Sequence, residues 1–225
     1  MIKEKNTSTT RLTEPSQPTE NIPYRFSYWG PFVFRAKILP AECKMILAAG
    51  KKCRKKANDY RDQLAGQLSD EYKLQDRQEF SEWLEKYLQA YAVGYNKWRG
   101  GEDTLSNLKL HSLWINYMKA GDFNPPHHHD GDLSFVIYPF IPQKLIKENK
   151  AYTGTSIGPG GIAWIYGLGL RRYIDTSQHM PETGDIFIFP ASLKHWVYPF
   201  RSKIERISVS GNIFCDTFLV KKGEN

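Results

Sequence analysis

A chain of 225 residues that is 40 % hydrophobic can bury one sizeable core, and its length favours a single domain. Its 6 Trp, 13 Tyr and 12 Phe exclude a disordered or linker protein and suit broad sheets and aromatic-lined clefts. A net charge of +7 spread along the chain permits nucleic acid or another acidic partner without demanding one, so charge alone excludes little.

The first residues, MIKEKNTSTT, lack the apolar core of a secretory signal, and no stretch approaches the roughly 18 apolar residues that cross a bilayer. Cys43, Cys53 and Cys215 are odd in number and have no CxxC spacing, which argues against a disulfide framework or a zinc ribbon. A soluble cytoplasmic protein with no membrane partner is the expectation. Residues 1–22, rich in Thr, Ser, Pro, Glu and Asn, cannot offset the entropy of ordering and read as a flexible arm before one domain over 23–225.

From Tyr24 the pattern changes, and FSYWGPFVFRAKI reads as a strand. Leu39-Pro40 then opens a helix over about 41–57, whose basic end, KKCRKK at 51–56, suits the negative pole of the helix dipole. Phe80, Trp83, Leu84, Tyr87, Leu88 and Tyr91 fall on one stripe of a second helix over 77–98, which is core packing. Beyond Arg99-Gly100-Gly101 come strands at 110–118, 132–141, 161–167, 184–190, 195–200 and 204–214. Between them, GTSIGPGG at 154–161 is too irregular for a phosphate-binding loop and reads as a mobile connection. Helices first and strands after predict a mainly β fold, an antiparallel sheet or barrel with helices on its outside.

The chemistry concentrates in FNPPHHHDGDLSFVIYP. Side chains two apart in an extended segment share a face, so either His127 with His129 or His128 with Asp130 can approach one metal ion. A third ligand is available from GDIFIFPASLKHW, where His195 follows an apolar strand closed by Pro190. Two ligands from one strand edge and one from a later strand form a facial triad that leaves three positions of an octahedral iron open.

The last strand, IERISVSGNIF, places Ile207, Val209, Gly211 and Ile213 on one face and Arg206, Ser208, Ser210 and Asn212 on the other. The Arg206 guanidinium is a planar, permanently charged fork suited to a carboxylate, and Ser208 on the same face can add a hydrogen bond.

The set WINYMKAGDFNPPHHHDGDLSFVIY, WIYG, GDIFIFPASLKHWVYPF and RISVSGNI resembles the 2-oxoglutarate- and iron(II)-dependent oxygenases of phages and marine bacteria, related to the prolyl-4-hydroxylase-like group. The upstream DYRDQLAGQLSDEY is similar to that group too, and the resemblance spans about 25–215. It implies a double-stranded β-helix, a jelly-roll of cupin-like form, with the helices packed outside. It also implies Fe(II) and 2-oxoglutarate as cofactor and co-substrate, dioxygen as oxidant, and decarboxylation to succinate coupled to hydroxylation of a substrate. By position it puts the metal on His127, His129 and His195 and the keto-acid anchor on Arg206 and Ser208. The wider superfamily uses His-x-Asp or His-x-Glu, which His128 and Asp130 would match. Trp114, Asn116, Tyr117, Tyr138 and Trp164 lie on strands that could line the cavity, with Asn116 and Tyr117 as candidate co-substrate contacts.

Two other classes fit parts of this pattern. A cupin-like metalloenzyme, such as a thiol dioxygenase or a zinc hydrolase, would also use three histidines. A non-enzymatic β-barrel binding module would carry HHHDGD as a surface loop. The substrate could be a protein side chain, a nucleobase or a small metabolite.

Overall fold

The computed structural model describes residues 23–28, 30–75, 77–99, 103–167 and 175–219. The arm expected at 1–22 lies outside the described residues. The segment read as one strand near residue 30 is a hairpin, β1 (Tyr24–Tyr28) and β2 (Phe32–Lys37), paired antiparallel from Tyr24↔Ala36 to Tyr28↔Phe32. Gly30, at φ +152, and Pro31 break the run, because few other residues adopt that backbone.

Helix α1 (Pro40–Cys53) stops four residues short of expectation. Arg54, at its end, turns away to bond Asp70 and Glu205. Helix α2 (Arg77–Trp98) occupies the predicted span, and its stripe of Phe80, Leu84, Tyr87, Leu88 and Tyr91 is buried. Glu42 ties the two helices together by accepting hydrogen bonds from Trp83 Nε1 and Tyr87 Oη while pairing with Lys86.

The strands form two antiparallel sheets. The large one runs β1, β2, β9 (Asp185–Pro190), β6 (Leu133–Phe140), β11 (Arg206–Leu219), β4 (Asp103–Met118), β3 (Glu71–Lys73). The small one runs β5 (Asn124–His127), β10 (Lys194–Val197), β7 (Ile162–Tyr166), β8 (Asp175–His179). Strands distributed between two sheets make the fold a double-stranded β-helix, as the resemblance implied.

Alternation along the central strands divides the interior into two cores. Ile137, Ile186, Ile188, Val209 and Ile213 face the helices, whereas Val136, Tyr138, Phe187 and Phe189 pack between the sheets. With both faces covered, β6 and β9 read as continuous apolar runs rather than alternating ones.

Three strands escaped the sequence reading: β5, β3 and the polar β8, whose DTSQH has no apolar alternation. β5 carries Pro125 and Pro126, which argue against a strand, yet it is a sheet edge where missing N–H groups cost nothing. β3 is only three residues long. The short helix α3 (Gln143–Lys150) is polar except for the buried Leu145 and its neighbour Ile146, and it too gave little signal.

At the centre of the large sheet Gly211 pairs with Leu113 on one side and Phe135 on the other. A Cβ there would run into the Ser112 carbonyl and the Phe135 ring. Gly211→Ala should therefore destabilise the protein by about 1–3 kcal/mol, as overpacking does. An unchanged urea midpoint would show that the sheet can shift to admit the methyl group.

Candidate metal centre and co-substrate pocket

The small sheet brings three imidazoles together. His195 on β10 stands directly opposite His127 at the end of β5. His129 lies two residues beyond His127, and its backbone N–H is held at 3.0 Å by the Ala191 carbonyl, just past β9. Ring centroids are 4.3 Å apart for His127 and His195, 4.8 Å for His127 and His129, and 5.0 Å for His129 and His195. One ligand atom from each lies within 4.8 Å of the others.

Backbone carbonyls orient two of these rings. His127 Nδ1 lies 2.6 Å from the Pro125 carbonyl and His195 Nδ1 lies 2.9 Å from that of Leu193. A carbonyl only accepts, so Nδ1 carries the proton in each neutral ring and Nε2 keeps its lone pair for a ligand. Burial, reinforced by the neighbouring imidazoles, lowers the pKa of His129 to about 3 and that of His195 well below the ordinary range. His127 is lowered by burial as well. All three are thus neutral at physiological pH, the form that binds a metal ion.

The cavity beside the triad is bounded on the large-sheet side by β4, β6 and β11. Arg206, Ser208 and Ser210 line it from β11, and Asn116 and Trp114 line it from β4, where they pair with Ser208 and Ser210. Arg206 is 3 % exposed and donates from Nη1 to the Gly160 carbonyl at 3.0 Å. Its guanidinium carbon sits 5.0 Å from the centre of the Tyr138 ring, and its Nε has no hydrogen-bond partner. Among the described residues no carboxylate pairs with it. A buried, uncompensated guanidinium calls for an anion, because desolvation of that charge is otherwise costly.

Residues 112–212 match the sequence profile of a family described as "Putative 2OG-Fe(II) oxygenase". The matched segment carries His127, His129, His195, Arg206 and Ser208. No curated protein gave a sequence match. Among solved structures, a prolyl-4-hydroxylase of Pseudomonas putida is similar at 12 % identity and TM-score 0.49, over 82 % of this chain and 93 % of that one. A viral collagen prolyl hydroxylase of Paramecium Bursaria Chlorella virus-1, in complex with 2-oxoglutarate, is similar at 12 % identity and TM-score 0.48, over 82 % and 96 % of the two chains. A non-haem α-ketoglutarate-dependent epimerase of nogalamycin biosynthesis is similar at 14 % identity and TM-score 0.49, over 85 % and 82 %.

The cofactor chemistry of that family, ferrous iron with 2-oxoglutarate, would suit the residues present: neutral imidazoles for the ion, and an unpaired buried Arg206 for a dicarboxylate. The alternative ligand pair, His128 and Asp130, is exposed and is not part of the group whose ligand atoms converge. Tyr117 must be corrected as a co-substrate contact. Its neighbour Asn116 faces the cavity, so Tyr117 points through the other side of the sheet, under the Arg54 guanidinium at 4.3 Å and beside Tyr72. Burial there pushes its phenol up to about 12. Trp164 packs behind Phe187 and Phe189 rather than on the cavity wall, while Tyr138 and Trp114 do line it.

The 154–161 loop is built into the site. Besides the Gly160 carbonyl, it is held by Asn149 Nδ2, which donates to the carbonyls of Ile157 and Pro159, and by the Gly160 N–H, which donates to the Tyr198 carbonyl. Glu71, Asn124 and Phe189 also line the cavity. None of these three stood out in the sequence, because their positions depend on which strands pair.

Proposed function

We propose that residues 23–225 form one oxygenase domain in which His127, His129 and His195 hold ferrous iron and Arg206 with Ser208 holds the distal carboxylate of 2-oxoglutarate. The observation that carries the reading is the buried Arg206, which faces the same cavity as the triad and lacks a carboxylate of its own. Bound iron supplies the redox chemistry that couples decarboxylation of 2-oxoglutarate to hydroxylation of a substrate C–H bond. The protein's part is positioning and shielding. The carbonyls of Pro125 and Leu193 fix two imidazoles, and Asn116 Nδ2, 3.4 Å from Ser208 Oγ, orients that hydroxyl. Trp114, Phe135, Val136 and Phe189 wall the cavity with apolar surface that excludes water.

A thiol dioxygenase or a zinc hydrolase would leave Arg206 without a role, and a binding module would have no use for three converging neutral histidines. The three free cysteines support a reducing, cytoplasmic setting.

The test is succinate formation by protein reconstituted anaerobically with ferrous iron and then exposed to dioxygen. Turnover should require 2-oxoglutarate, and activity supported equally by zinc would overturn the proposal. Ligand identity gives a sharper prediction. His127→Ala and His129→Ala should abolish turnover, whereas His128→Ala and Asp130→Ala should leave it within about twofold, because exposed side chains away from a site seldom contribute more than about 0.5 kcal/mol. Loss confined to the second pair would mean that the other register binds the metal.

A further inference from the structure

Strand β3 adds a polar group to the cavity that the chemistry above does not use. Glu71 on β3 pairs with Asn116 on β4, and Asn116 pairs with Ser208 on β11, so the three side chains form one row on the cavity face. Glu71 is 1 % exposed, and its Oε2 has no hydrogen-bond partner. The Oδ1 of Asn116 has none either, since that amide donates to Ser208 from its Nδ2. Two neighbouring buried oxygens, one of a carboxyl group and one of an amide, are therefore left without a hydrogen-bond partner.

The nearby cations are committed elsewhere. Arg61 pairs with Asp59 and donates to the Ser69 carbonyl, and Lys119 and Arg54 are both held by Asp70. Leu64, Ala65 and Asn124 also line the cavity, and the strand order puts Glu71 on the side of the sheet away from β6. A group that only donates hydrogen bonds, and carries positive charge, would satisfy both oxygens at once.

We infer that Glu71 and Asn116 receive an ammonium or guanidinium group of the primary substrate, which is therefore a basic side chain or a small amine. The inference rests on the oxygenase reading of the site and deepens it by assigning a substrate class. Glu71 is a specificity residue here, separate from the histidines and from Arg206.

Its ionisation supports the assignment. Burial raises the Glu71 pKa to about 8, with Asp122 and Asp59 adding to the rise and Arg61 opposing it. At neutral pH the empty site thus holds a proton that an arriving cation displaces. Affinity for the cation should increase as pH rises toward about 8, and binding at pH 7 should release a proton.

Calorimetry on the anaerobic ferrous protein with 2-oxoglutarate would test this with matched probes: lysine and short lysyl peptides against their norleucine counterparts, and arginine against citrulline. The cationic member should bind roughly ten- to a hundredfold tighter, as a charge-assisted hydrogen bond implies. The preference should vanish in Glu71→Gln, which keeps side-chain size and whose folding is checked by its melting temperature. Equal binding, no binding by either member, or a preference that survives Glu71→Gln would overturn the inference. The visible absorption band of the iron and 2-oxoglutarate complex, read in the same samples, separates the two levels. If the band is present but the cation preference is absent, the inference alone falls. If the wild-type protein gives no band, the site assignment beneath it falls as well.

Discussion

His195→Ala should leave the protein unable to retain iron, with affinity for ferrous iron reduced by roughly a hundredfold or more and turnover lost. Changing a residue that merely orients a ligand typically costs ten- to a hundredfold in metal affinity, so removing a ligand should cost at least the upper end of that range. In the proposed triad His195 is the group supplied by a separate strand, β10. It faces both other imidazoles, at 4.3 and 5.0 Å between ring centroids, and rests against the Phe189 ring at 4.9 Å. His127 at the end of an edge strand and His129 just beyond it cannot by themselves enclose a ferrous ion that prefers a three-ligand face. Iron content after anaerobic reconstitution and desalting measures the effect. His195→Gln, closer in volume, guards against a result caused only by the space left when a buried ring is removed. Full iron occupancy in both variants would show that the ion is held by other residues.

The chemistry of this site was more legible in the sequence than its geometry. Three adjacent histidines before an apolar strand, a fourth after a Pro-closed strand, and an Arg-x-Ser on a polar strand face are each uncommon, so their types alone indicated a metal and a carboxylate. The stripe from Phe80 to Tyr91 likewise marked α2, because a period near 3.6 belongs to the helix itself. What stayed hidden was the phase of the strands. A period of two states that neighbours face opposite ways without saying which one faces inward, and so Asn116 and Tyr117 looked equivalent.

That phase is set by contacts distant in sequence. His127 faces inward because β5 pairs with β10, and His129 follows because its N–H reaches the Ala191 carbonyl. Asn116 faces inward because β4 lies between β3 and β11 with helices covering its other side. Glu71 was hidden for the same reason in stronger form. A glutamate in a three-residue strand amid charged neighbours carries no periodic signal, and its burial follows only from the placement of β3 at the sheet's edge.

Arg206 should show opposite effects on binding and on stability. In the protein without co-substrate its guanidinium is buried, and burial lowers its pKa with only the Tyr138 phenol in opposition. Arg206→Met fills similar volume and removes the charge, so the protein without co-substrate should be as stable as wild type or more stable by up to about 1–4 kcal/mol. The same change leaves a distal carboxylate buried without its partner, which costs on the order of 3–5 kcal/mol, or roughly two to four powers of ten in affinity for 2-oxoglutarate. Arg206→Lys keeps a charge but loses the fork and should weaken binding by roughly ten- to a hundredfold. Iron content should stay at the wild-type level in both variants, since Arg206 is not among the converging ligands. Urea unfolding with and without 2-oxoglutarate reads both quantities at once. Wild type should gain stability from the co-substrate and Arg206→Met should gain almost none, because stabilisation by a ligand grows with its concentration relative to its dissociation constant. If Arg206→Met lost stability by several kcal/mol without co-substrate, the guanidinium would be a structural brace for the 154–161 loop through the Gly160 carbonyl. Equal stabilisation of both proteins by 2-oxoglutarate would move the carboxylate site elsewhere and leave the three histidines as the only part of the assignment standing.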